Sequence, residues 1–167
     1  MGRGRFCPAP RVSCPAGVTM NAISETDGAP LVAALRADHH RVLALFRPLA
    51  DSRDDFERIE MVSVICEEIR QLLCAERSVL RPLVATAAAP TDTGRDTELL
   101  TLTERLESLS PEESSFDRLS LHAYDRLRDY LCAQERELFP LLARLDASAL
   151  ARAEQRLRDL RERVLEH

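Results

Sequence analysis

The sequence predicts an all-α protein, built as an antiparallel four-helix bundle with a C-terminal helix added. Leu, Ala, Arg and Glu dominate its 167 residues, whereas aromatic residues make up 4% and only five residues are glycine. This composition favours helices over a strand-rich sandwich or barrel. Apolar residues recur at steps of three and four along several stretches, and one stretch occurs twice. Helical periodicity and an internal repeat together indicate paired helical hairpins.

The repeated stretch reads LLCAERSVLRP from Leu72 to Pro82 and YLCAQERELFP from Tyr130 to Pro140. The two copies are related by a constant offset of 58 residues, and they share Arg70/Arg128, Leu73/Leu131, Cys74/Cys132, Ala75/Ala133, Leu80/Leu138, Pro82/Pro140 and Leu83/Leu141. We interpret them as corresponding parts of two duplicated αα-hairpins joined by short loops.

The chain divides into an arm and one domain. Residues 1–28 contain three prolines and no periodic apolar pattern, so they are predicted to form a disordered arm, with Met20 as an alternative start. Residues 29–167 are predicted to form a single helical bundle domain, because a chain of this length with 45% apolar residues can bury one core.

Charge, hydropathy and cysteine usage exclude several classes of function. A formal net charge of −5 without a basic stripe argues against nucleic-acid binding, and no apolar run is long enough to span a membrane. The five cysteines form no CxxC pair, which fits a reducing cytosol. There is no nucleophile elbow, phosphate-binding loop or HExxH motif. We therefore expect a cytoplasmic protein that is not an enzyme and has no nucleic-acid or membrane partner.

The first two predicted helices each carry one polar residue on an apolar seam. The first helix covers about residues 30–49, with His39 on its seam, and the second covers about residues 52–88, with Glu76 on its seam. A glutamate among leucines is costly unless it is paired, protonated or bound to a metal, so Glu76 calls for a partner. The alternative is a slightly rotated helix that leaves Glu76 at the rim.

Caps and prolines set the remaining boundaries. Asp51 or Ser52 is predicted to cap the second helix. The third helix is expected at about 96–109, and the fourth opens at a capping-box pattern from Ser110 and ends near residue 145. A fifth amphipathic helix follows at about 148–164.

A family resemblance emerges from two motifs. Asp38, His39 and Val42 form Asp-His-x-x-Val, and the next helix ends in Glu-x5-Pro-Leu, starting at Glu76. With the second such ending in the repeat, the pattern over about residues 30–145 resembles the hemerythrin-like cation-binding family. The resemblance implies a four-helix bundle that holds a non-haem di-iron centre, with histidines from all four helices and two bridging carboxylates. It also implies an oxygen carrier or a sensor of oxygen, redox state or iron.

The resemblance implies four candidate metal ligands. His39 matches the family's first histidine ligand, while Glu76 and Glu135 match the carboxylates of the second and fourth helices. Tyr130 stands where the fourth helix of the family has a histidine. It either binds a ferric ion as a phenolate or fills the space of the lost histidine, with its hydroxyl bonded to Glu76 or His39.

Other positions depart from the family's pattern. Leu72 stands where the family's second helix has a histidine, and no histidine lies between residues 41 and 121. His122 is expected off the inner face and partly exposed. Two bridged irons need several imidazoles, so the remaining donors, one imidazole and two carboxylates, resemble a facial set for one metal.

Three hypotheses follow. The first is a hemerythrin-like protein that binds iron or another divalent metal through this reduced ligand set, with a small diatomic molecule as a further ligand, for sensing or storage. The second is a metal-free bundle that acts as a regulatory or protein-interaction module with a protein partner; in that case Glu76→Leu should be neutral or stabilising. The third is a thiol switch between Cys74 and Cys132, which helical geometry places away from the bundle centre.

Overall fold

The structure is a computed structural model that describes residues 29–84 and 93–165. Within these ranges the protein is helical and contains no strand, which confirms the all-α class. The helical elements are α1 Ala29–Ala44, α2 Phe46–Asp51, α3 Asp55–Ala75, a π-helical segment Glu76–Leu80, α4 Arg81–Val84, α5 Thr93–Ser108, α6 Phe116–Glu137, α7 Phe139–Leu142 and α8 Ala147–Leu165. No described helix is both long and apolar enough to cross a membrane. The predicted arm, residues 1–28, lies outside the described residues.

The first two predicted helices form close to the expected positions but differ in detail. Pro48 has no N–H to donate to the carbonyl of Ala44. Helix α1 ends at Ala44, and the chain becomes helical again in α2. The predicted caps of the second helix, Asp51 and Ser52, are wrong. Asp54 caps α3 instead, because it has an extended backbone directly before the helix and its side chain accepts a backbone N–H of the first turn at 2.9 Å.

Pro82 and Pro140, which are related by the repeat, each coincide with a distortion of the helical chain around them. Pro82 offers no N–H to the carbonyl four residues before it, and the helix widens into the π segment, where the N–H of Arg81 bonds to the carbonyl of Glu76. Pro140 follows a break between α6 and α7 at Leu138. The sequence predicted helix ends near both prolines, but not the π turn.

The fourth helix begins later than predicted. Glu113 does accept the N–H of Ser110 at 3.1 Å, so half of the capping box forms. The next residues nevertheless form turns, and α6 begins at Phe116. Two serines precede Phe116, and their hydroxyls compete with helical hydrogen bonds. The guanidinium of Arg58 lies 4.4 Å from the Phe116 ring and covers this buried residue.

The long helices contact one another in a closed ring. α3 packs against α5, α5 against α6, α6 against α1, and α1 against α3, while α8 lies against α3 and the π segment. This arrangement is compatible with the predicted four-helix bundle and its additional C-terminal helix.

A polar layer separates two apolar clusters in the core. The larger cluster joins α1, α2, α3, α5 and α6, and the smaller joins the start of α1, the π segment, α4, α7 and α8. Glu76 falls between Leu73 of the larger cluster and Val79 of the smaller. His39 on α1 and Gln134 on α6 take equivalent places, so three helices deliver polar side chains to one level of the core.

Candidate functional site

Among the described residues, five polar or charged side chains are buried: His39, Glu76, Asp96, Thr103 and Gln134. Thr103 is satisfied within its own helix, where its hydroxyl donates to a backbone carbonyl at 2.7 Å. The other four belong to connected groups of hydrogen bonds and ion pairs. We define these groups, together with their partners Arg81 and Tyr130, as the polar layer and treat it as the candidate site.

Glu76 is the centre of the polar layer. Its Oε1 accepts a hydrogen bond from Nε of Arg81 at 2.9 Å, and its Oε2 accepts from the Tyr130 hydroxyl and the Gln134 amide. Glu76 as a whole is 6% exposed, so the alternative position at the rim is wrong. The expected partner exists, and it is the guanidinium of Arg81.

Asp96 is the second carboxylate of the layer and is fully buried. Its Oδ1 accepts from Nη2 of Arg81 at 2.8 Å, and its Oδ2 accepts from Nε of Arg77 at 2.9 Å. It lies in the first turn of α5, where the helix dipole favours a negative charge. Arg81 therefore bridges two buried carboxylates on different helices, and the two arginines balance the charge of Glu76 and Asp96.

Burial and ion pairing shift the pKa values of the ionisable groups in the polar layer in different directions. Burial raises the pKa of Glu76, although hydrogen bonding to Tyr130 and the nearby Arg81 oppose this. Burial also acts to raise the pKa of Asp96, but the hydrogen bonds from Arg81 and Arg77 outweigh it and hold that pKa below its usual value. Burial and the Glu76 carboxylate raise the pKa of Tyr130, so its hydroxyl stays protonated and donates. Asp96 is thus the more firmly ionised carboxylate.

His39 and Glu135 form a neighbouring group. Nδ1 of His39 lies 3.1 Å from Oε1 of Glu135, and Nε of Arg36 donates to Oε2 of Glu135 at 3.3 Å. Burial lowers the pKa of His39 although Glu135 opposes it, so the imidazole is neutral at pH 7 and its Nδ1 carries the proton toward the carboxylate. Gln134 hydrogen-bonds to His39 as well and links this group to Glu76.

The four candidate metal ligands therefore lie in two pairs, His39 with Glu135 and Tyr130 with Glu76. Residues 29–84 and 93–165 contain no group of three or more His, Cys, Asp or Glu side chains that could hold a metal ion. Both Glu76 oxygens already accept protein hydrogen bonds, and Arg81 supplies the positive charge that a metal would supply. One imidazole cannot complete the coordination of two irons. These residues do not fit the di-iron centre that the resemblance implies.

Arg81, Arg77, Asp96 and Gln134 were not predicted as site residues, and the repeat contained a signal only for Gln134. The offset of 58 pairs Glu76 with Gln134, and these two side chains bond to each other across the layer. The importance of Arg81 could not be read from spacing. It lies five residues after Glu76, and the π turn brings the two side chains together.

The remaining predicted positions lie outside the polar layer. His122, Cys74 and Cys132 are exposed, as their helical positions predicted. Cys66 is buried on α3, where its thiol donates to the carbonyl of Thr103 at 3.6 Å and burial raises its pKa to about 12. The proposed thiol switch stays a prediction.

Comparison of the chain with protein-family models, curated proteins and solved structures found no match. From its fold and its site, the protein is a helical protein whose core contains a salt-bridged polar layer.

We expect His39 to make the protein less stable as the pH falls through the ordinary histidine pKa of 6.5. Because its folded pKa lies below the ordinary value of 6.5, the unfolded chain takes up the proton first, and the free energy of unfolding decreases until the folded imidazole is protonated too. Urea denaturation followed by circular dichroism should show a smaller decrease for His39→Gln. The raised pKa of Glu76 has the opposite effect on stability as the pH falls, but Glu76 is present in both wild type and His39→Gln, so it does not affect the comparison. His40→Gln, at the exposed neighbouring residue, should keep the wild-type slope; equal slopes for His39→Gln and wild type would contradict the assignment.

Proposed function

We propose that this chain is a hemerythrin-like, antiparallel four-helix bundle in which an arginine-bridged polar layer takes the place of a metal centre. The closed ring of helix contacts supports the bundle. Arg77, in the π segment that follows α3, pairs with Asp96 near the start of α5, and Cys66 of α3 bonds to the carbonyl of Thr103, about two turns further along α5. Contacts thus move backward on α3 as α5 advances, which supports antiparallel packing.

The observation that carries the proposal is the position of the Arg81 guanidinium. It donates to Glu76 at 2.9 Å and to Asp96 at 2.8 Å, and only 15% of its side chain is exposed. In a metal-binding bundle, inward-facing carboxylates direct their lone pairs to the metal. Here N–H and O–H groups of the protein occupy three of the lone-pair positions of Glu76, and Arg81 and Arg77 donate to Asp96, so these hydrogen bonds and ion pairs hold the layer together.

A bundle of this kind is suited to binding and regulation, not to catalysis. None of the described groups of the polar layer is a nucleophile paired with a base, and Tyr130 is held protonated. One side of the layer, however, opens to a pocket between α1, α3 and α8. We therefore propose a non-enzymatic regulatory module, in which the core gives rigidity and an opening beside α8 gives access.

Metal analysis tests this proposal against the metal-binding hypothesis. Protein purified without a histidine tag from iron-supplemented cells should contain far less than one iron or other divalent ion per chain, and a chelator should leave its thermal unfolding unchanged. Stoichiometric metal that is lost in His39→Ala and Glu76→Ala would establish the metal-binding hypothesis instead. His122→Ala, at an exposed histidine outside the layer, is the matched control.

A further inference from the structure

A pocket of about 290 Å³ lies between α1, α3 and α8 and extends to the polar layer. Its apolar walls come from Leu35, Val42, Leu72, Leu80, Leu157 and Leu160. Leu72 stands where the family resemblance implies a histidine, so the wall is apolar at that position. A concave site with mainly apolar walls and a few convergent polar groups is the usual form of a small-molecule site.

Three polar side chains, His39, Glu76 and Gln134, reach this pocket from the polar layer. His39 directs its Nδ1 to Glu135 and hydrogen-bonds to Gln134 as well, so its ring is already engaged within the polar layer. Glu76 accepts three hydrogen bonds, whereas a carboxylate has about four lone-pair positions. The inner end of the pocket therefore has acceptor capacity for a guest that donates.

The charges around the pocket are compensated. At the rim, Nη1 of Arg41 donates to Oε1 of Glu68 at 2.8 Å, and Arg161 of α8 pairs with Asp38 of α1. Deeper in the core, Arg81 bridges the two buried carboxylates. An ionised guest would lose its hydration without gaining an uncompensated counter-charge, so the pocket favours an uncharged molecule.

We propose that this pocket binds a small, uncharged, mainly apolar molecule that carries one hydroxyl donor. The hydroxyl bonds to the Glu76 carboxylate at the inner end, and the apolar part packs between α1, α3 and α8. This inference rests on the proposed function, because a metal held by His39 and Glu76 would use the same carboxylate. Since α8 supplies Leu157 and Leu160 to the wall, binding also strengthens the docking of α8 on the bundle.

Three matched probes test the proposal on the full-length protein: 4-propylphenol, propylbenzene without the donor, and charged 4-propylbenzoate. Isothermal titration calorimetry should show 4-propylphenol binding about five- to tenfold more tightly than propylbenzene, which is the effect of one hydrogen bond, and no binding of the benzoate. Equal affinities for the phenol and propylbenzene would overturn the donor assignment. Failure of the phenol to bind at low-millimolar concentration would overturn the proposal as a whole.

A pocket-filling variant locates the binding. Leu72→Trp should weaken 4-propylphenol binding more than tenfold while circular dichroism shows a folded protein, whereas Leu121→Trp, on the exposed face of α6, should bind as wild type does. Leu160→Trp on α8 serves as the second variant if Leu72→Trp does not fold. Unchanged binding in a folded pocket variant overturns the assigned location. Metal content measured on the same samples separates the two proposals: metal-free protein that does not bind the phenol disproves only the pocket, and stoichiometric metal disproves the proposed function.

Discussion

Arg81→Met is expected to lower the free energy of unfolding by about 3–5 kcal/mol, the cost of removing one partner from a buried ion pair. Methionine fills much of the space but donates no hydrogen bond. Glu76 would lose the donor to its Oε1, and Asp96 would lose the donor to its Oδ1, and both carboxylates are buried. Urea denaturation, monitored by circular dichroism at pH 7, measures the loss.

Arg77→Met is the matched control for this variant. Within residues 29–84 and 93–165, Arg77 pairs with Asp96, and 43% of its side chain is exposed, so water replaces part of what the substitution removes. We expect a loss of about 1 kcal/mol. If Arg81→Met costs no more than Arg77→Met, then Arg81 does not bridge the two carboxylates, and the proposed replacement of the metal fails with it.

Glu76→Leu is the second variant with a large expected effect, a loss of about 2–4 kcal/mol, because buried donors left without an acceptor cost about 1–3 kcal/mol each. From sequence alone, a metal-free core predicts the opposite, a neutral or stabilising change. The contacts of Glu76 reverse this expectation: leucine would leave the Tyr130 hydroxyl and the Gln134 amide without an acceptor, and Arg81 with Asp96 alone.

A triple variant tests this reasoning. Adding Tyr130→Phe and Gln134→Leu to Glu76→Leu removes the two stranded donors together with their acceptor, so most of the lost stability should return. Thermal and urea unfolding of the single and triple variants provide the comparison. A triple variant that is less stable than Glu76→Leu would show that packing, not unsatisfied donors, accounts for the loss.

Much of the helical architecture could be predicted because its causes are local. Apolar spacing located the long helices, and Pro48, Pro82 and Pro140 lie where those helices break, widen or restart. The predicted helix starts were wrong where several local signals compete for the same few residues. Half of the capping box at Ser110 forms, yet α6 begins only at Phe116. There the buried Phe116 ring packs against the guanidinium of Arg58.

The polar layer was only partly predictable. His39 and Glu76 were recognisable because each interrupts an apolar seam, and the bond from the Tyr130 hydroxyl to Glu76 was one of two predicted alternatives. Asp96 and Arg81 carried no such signal. Charged residues near helix ends are common in solvent-exposed positions, and only packing shows that these two are buried or nearly so.

The sequence by itself therefore determined the helical class, the helix positions and the need of Glu76 for a partner, because periodicity, prolines and burial cost act over a few residues. Only the tertiary structure decided the identity of that partner. The π turn before Pro82 places the Arg81 guanidinium next to Glu76, and the packing of α5 against α3 brings Asp96 to the same guanidinium. A buried charge is stabilised by the groups that the fold brings within hydrogen-bonding distance of it. The spacing of residues along one helix does not reveal which groups on a neighbouring helix will come that close.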